Sequence, residues 1–154
     1  MSREAPDGRL NLRLEHDCEI LAPISAVWDV VSDIPNWPDW TPTVSSALKQ
    51  TPGPISVGTT ILVRQPLQRP AAWTITSWNP GRGFSWRKET GALRLRAEHH
   101  LIETGRGTRS LVCLEAVGFR ARLIRPALAW ALTAENRALK RRLEGPDRDR
   151  PRRK

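Results

Sequence analysis

LNLRLEHDCEILAPISAVWDVVSDIPNWPDWTP, residues 10–42, decides the fold. Its first part alternates. Leu10, Leu12, Leu14, His16, Cys18 and Ile20 share one face, and Arg13, Glu15, Asp17 and Glu19 share the other. Period two with one charged side is a strand that keeps one face in water. The period then lengthens. Pro23 suits a helix start, Ser25 is read as its cap, and Val27, Trp28, Val30, Val31 and Ile34 form an apolar stripe. Pro35 stops the helix, and Pro38 and Pro42 force NWPDWTP into a compact, turned segment.

Beyond residue 43 the chain reads as about six short strands with punctuation. GTTILVRQ places Ile61, Val63 and Gln65 on one face, AAWTITSW offers Trp73 and Ile75, and FSWRK pairs Phe84 with Trp86. In GALRLRAEHHLI, Leu93, Leu95, Ala97, His99 and Leu101 alternate with Arg94, Arg96, Glu98 and His100. The glycines at 105 and 107 turn this strand into TRSLVCLEAVG. With Gly105 and Arg106 at the tip, Arg96 faces Glu115 on the wet side and His99 faces Val112 on the dry side. A loop of odd length would reverse the second strand, so Cys113 and Glu115 stay open.

The last element runs from about Arg120 to Leu143, with Pro126 allowing a bend or a late start. Ala127, Leu128, Ala131, Leu132, Ala134, Ala138, Leu139 and Leu143 form one broad face at 100° per residue, flanked by Trp130. A sheet wet on one face must cover the other, and this helix is the element able to do so. The expected fold class is α+β, with a curved antiparallel β-sheet wrapped around a long C-terminal α-helix and space between them.

The 154 residues suffice for one domain, 9–144, followed by a basic disordered tail, 145–154. Nine basic and three acidic residues between Arg137 and Lys154 supply +6 of the net charge of +9, so the body is nearly balanced. Aromatic residues do not interleave with that basic end, so no specific nucleic acid is expected as a partner; a weak contact with an anionic surface stays open. No stretch has the length of a transmembrane segment, and MSREAPDGRL lacks the apolar run of a secretory signal. Cys18 and Cys113 are too few for a disulfide framework or a structural zinc site. A reduced, cytoplasmic protein, monomer or homodimer, is the expectation. Seven Trp, two Phe and no Tyr are enough bulk to line a cavity as well as fill a core.

Residues 20–42, in the form I-L-A-P-x-x-x-V-W-D-V-V-S-D-x-x-x-W-P-x-W-T-P, resemble the opening of the START-like superfamily, also called SRPBCC. More narrowly, they look like the polyketide cyclase/dehydrase and lipid transport branch. VGTT at 57–60, AEHHLIETGRGTR at 97–109 and AENRALKRRLE at 134–144 agree with it in order and spacing. The resemblance implies a helix-grip fold with a deep, mostly apolar cavity between sheet and C-terminal helix.

His99 lies mid-strand on the face turned to that cavity, where an imidazole can hydrogen-bond a ligand or move a proton. Glu135 falls near the middle of the apolar helix face and needs a partner there. If the two meet, they form an acid–base couple. Trp40, Val63, Gln65, Trp73, Trp86 and Trp130 complete the candidate ligand-binding set. No phosphate loop, metal-ligand spacing or nucleophile elbow is present, so neither metal nor cofactor is expected.

Three functional readings fit these residues. The first is binding of a hydrophobic small molecule, aromatic, polyketide- or lipid-like. The second is a polyketide cyclase or dehydratase with His99 as base and Glu135 as proton donor or orienter. The third is an interaction protein that uses its basic C-terminal end.

Overall fold

The computed structural model describes residues 11–145. Seven strands form one antiparallel sheet in the order β1-β7-β6-β5-β4-β3-β2. They are β1 (Asn11–Ile20), β2 (Ser46–Lys49), β3 (Thr60–Arg64), β4 (Ala71–Asn79), β5 (Gly83–Thr90), β6 (Leu93–Glu103) and β7 (Thr108–Val117). Between β1 and β2 stand α1 (Ile24–Ser32) and a short 3-10 helix (Ile34–Asp39); α2 (Arg125–Glu144) closes the domain. The basic tail expected at 145–154 lies, apart from Gly145, outside the described residues.

The alternation in β1 is realised. Leu12 and Ile20 are buried, while Arg13, Glu15, Asp17 and Glu19 are exposed. The β6–β7 hairpin takes the register its turn residues predict, Arg96 opposite Glu115 and His99 opposite Val112. That register settles the two open positions. Cys113 and Glu115 face outward, where Arg13 bridges Glu115 at 2.6 Å. Cys113 is nevertheless buried, because it lies opposite Glu15 on one side and Glu98 on the other. On the same outer face His100 meets Glu98 at 2.9 Å, so the two adjacent histidines point apart.

A register shift in β4 between Ile75 and Ser77 bends the sheet. The hydroxyls of Thr76 and Ser77 both meet that of Ser85 at 2.7 Å, which holds the bent strand to β5. Gly83 and Gly107 permit close approach at two sheet corners. A Cβ on either would fall 2.0 Å from the His99 carbonyl oxygen or 2.3 Å from that of Ile20.

The helices depart from the sequence reading in two details, and the late start that Pro126 allows is realised. Pro23 itself is the N-cap of α1 and Ser25 lies inside the helix, so no side chain caps it. α2 begins at Arg125 with Pro126 in its first turn, because a fixed φ and a missing N–H suit that position. Its buried face is also rotated from the expected one. Leu132, Asn136, Ala138 and Leu139 are buried, whereas Ala127 and Trp130 are exposed.

Asn136 explains the rotation. The two N–H groups of its amide Nδ2 are shared among the His16 carbonyl at 3.1 Å, the Ser110 carbonyl at 3.1 Å and His16 Nδ1 at 3.0 Å. Its Oδ1 accepts from the Ser110 hydroxyl at 2.9 Å. Satisfying a buried amide this fully requires Asn136 to face β1 and β7. Lys140 then reaches the Glu19 carbonyl at 2.8 Å, and Glu144 accepts from the Leu21 amide at 2.7 Å.

Candidate functional site

The turn from Asn136 back to Glu135 is one residue, about 100° around the helix. It carries Glu135 off the β1–β7 side and towards β6. There Glu135 Oε1 meets His99 Nε2 at 2.7 Å, across 36 positions of sequence. Both side chains are largely covered, at 7% exposure for His99 and 16% for Glu135.

The imidazole is clamped on several sides. It stacks on Phe84 with ring centres 4.5 Å apart and 12° between planes, and it meets the edge of Trp37 at 5.4 Å. Its other nitrogen, Nδ1, is buried and has no hydrogen-bond partner among the described residues. An orphaned N–H costs more than an orphaned lone pair, so the arrangement favours the tautomer with hydrogen on Nε2, donated to the carboxylate. Among the described residues no donor reaches the second Glu135 oxygen, which leaves it available as an acceptor. Chemically, the pair offers one fixed acceptor and an imidazole whose orientation is set by stacking.

His99 and Glu135 line a cavity of about 60 Å³ between the sheet and the first half of α2. Val63, Gln65, Trp73 and Trp86 also line it; Trp40 and Trp130 do not. Trp40 is held edge-on against Trp37 at 5.5 Å, one side chain away from the cavity. Trp130 is 56% exposed, turned outward by the rotation that Asn136 imposes.

Wall residues outside the candidate set include Trp37, Thr43, Val44 and Leu128. Trp37 is the centre of the site. It is 1% exposed, donates its indole N–H to the Val31 carbonyl at 3.1 Å, and touches Phe84, Trp86 and His99 as well as Trp40. The proline-bracketed 3-10 helix inserts it, a signal visible in N-W-P. The indole N–H of Trp86 is buried beside it, with no partner among the described residues.

A volume near 60 Å³ holds a few waters, whereas pockets for drug-sized ligands run from about 300 Å³. Among the described residues no helix is long and apolar enough to cross a membrane, and no three His, Cys, Asp or Glu side chains gather as a metal site.

The family model for polyketide cyclase / dehydrase and lipid transport matches residues 11–144, nearly the whole described domain. In sequence, no curated protein matches the chain. Solved structures match in fold. Major latex-like protein 151 from Panax ginseng superposes with a TM-score of 0.73 at 10% identity, covering 86% of this chain and 97% of its own. Norcoclaurine synthase from Thalictrum flavum gives 0.71 at 15% identity, with 90% and 89% covered. The di-domain ARO/CYC BexL from the BE-7585A biosynthetic pathway gives 0.70 at 19% identity, with 92% of this chain but 51% of that one covered. At these identities the likeness shows the helix-grip fold.

Proposed function

The chain belongs to the polyketide cyclase / dehydrase and lipid transport family, and on that premise we propose that it binds a hydrophobic, aromatic small molecule in its internal cavity. The observation that carries the reading is the His99–Glu135 hydrogen bond at 2.7 Å in a cavity walled by Trp37, Trp73 and Trp86. Indole walls gain most from flat aromatic surface, since stacked or edge-on rings add about 1 kcal/mol per pair beyond burial. The free Glu135 oxygen takes a ligand hydroxyl, and His99 holds the carboxylate in place. Norcoclaurine synthase, a neighbour in fold, was crystallised with dopamine and hydroxybenzaldehyde, two small aromatic compounds. The resting volume means that the walls part on binding.

The same pair favours a second reading, a cyclase or dehydratase. In it the couple moves a proton on the bound ligand, with His99 as base and Glu135 as its partner.

A tryptophan-fluorescence titration against fatty acids, sterols, quinones and polycyclic phenols tests the proposal. Saturable quenching by the phenols, weakened in Glu135→Gln, is the expected result. No response from any class overturns it. Turnover of a quenching phenol, lost in His99→Ala, would move the second reading ahead of the first.

A further inference from the structure

The inward face of β5 carries Phe84, then Trp86, then Lys88. The first two are what a strand facing a core should show, and the third is not. Lys88 is 7% exposed. Its stem lies opposite Leu95 across the ladder, and its Nζ stands 5.1 Å from the centre of the Trp73 ring. Leu95 and Trp73 are both cavity walls, so the amine sits immediately behind the lining at one end of the site.

Among the described residues no carboxylate pairs with Lys88. The cavity's own acid, Glu135, is engaged by His99, and Glu144 near the far end of α2 is engaged by Lys140. Burial pushes the Lys88 amine below its ordinary value. The Trp73 face offsets only part of the cost of holding a cation there. The other strand cations near this position, Arg87, Arg94 and Arg96, point outward and are exposed. Among the described residues, the concave face therefore keeps at Lys88 an ammonium without a protein counter-ion.

We infer that the ligand of this cavity is an acid, an aromatic molecule whose carboxylate is held by Lys88 at the Trp73 side. The inference rests on the cavity-binding function proposed above and names its substrate class. Lys88 lies opposite Leu95, and Leu95 is four residues along β6 from His99, about 13 Å of strand. Two- to three-ring molecules match that span. Their carboxylate goes to Lys88 and their hydroxyl to Glu135, and the reversed orientation brings two carboxylates together.

Calorimetric titration of the full chain with 2-naphthoate and with neutral 2-naphthamide tests this, because the two probes share shape and differ in charge. Wild type is expected to bind the acid at least about tenfold more tightly than the amide. Lys88→Met should erase that preference while leaving amide affinity in place, and Lys88→Arg should keep most of it. Equal binding of both probes to wild type, or equal weakening of both by Lys88→Met, overturns the inference. If Lys88→Met does not fold, the acid–amide comparison on wild type and Lys88→Arg still decides. Binding of neither probe to wild type overturns the cavity-binding reading and this inference with it.

Discussion

Glu135 and Asn136 are adjacent on one helix, and both are polar groups covered by the same sheet, yet they are treated in opposite ways. Asn136 spends every hydrogen-bonding atom of its side chain on β1 and β7. Glu135 spends one oxygen on a histidine whose other nitrogen is left orphaned, beside an indole N–H in the same state. Full satisfaction marks a group kept for the fold. Unspent capacity in a cavity wall marks a group kept for something that arrives later. The concave face is divided accordingly, a closed half around β1 and Ser110 of β7 and an open half along β3 to β6 that reaches Val112 and Leu114 of β7.

Removing the closed half's anchor should have the largest effect. Asn136→Ala strands the Ser110 hydroxyl and two carbonyls, and should cost about 3 kcal/mol of stability, read by urea denaturation. A loss under about 1 kcal/mol would erase the distinction between the two halves. Glu135→Gln keeps a hydrogen-bonding group of the same shape, so stability should change by less than about 1 kcal/mol. Phenol affinity should fall several-fold, because a charge-assisted hydrogen bond becomes a neutral one. Stability and affinity falling together would place Glu135 with Asn136 instead.

The smallest effect concerns Cys18, on the closed half. Burial pushes its thiol up to about 11, against about 8.5 in an unfolded chain. At pH 8 native Cys18 should react with a thiol reagent about a hundredfold more slowly than in denaturant. The sign for stability follows. Between those two values the unfolded thiol has lost its proton and the folded one has not, so stability falls as pH rises. Rapid labelling of the native protein would mean that this half is not closed.

The closed half was also the more legible in sequence. Period two in β1 and the paired glycines after β6 set face and register, because a one-residue slip would turn every apolar side chain outward. His99 and Glu135 could be named as candidates because each is a polar residue on an apolar face. Asn136 could not, since its partners lie on β1 and β7, 120 and 26 positions away. Trp130 was misplaced for the same cause. The helix periodicity places an apolar face only to within a residue or so, and one buried amide fixed the rotation. Lys88 shares its parity with Phe84 and Trp86, so its inward direction was readable in FSWRK, although the absence of a counter-ion was not.

In mechanical terms α2 is a beam clamped at one end. Asn136, Lys140 and Glu144 tie its second half to β1, β7 and the residues just after β1. The half that roofs the cavity with Leu128, Ala131 and Leu132 is held by apolar contact, which is non-directional. From Asn136 back to Arg125 is eleven residues, an arm of about 16 Å. A pivot of about 10° at Asn136 swings the free end by about 3 Å without breaking any of those ties. Over a roof that size, such a swing adds on the order of hundreds of Å³, the difference between a crevice for water and a pocket for a ring system.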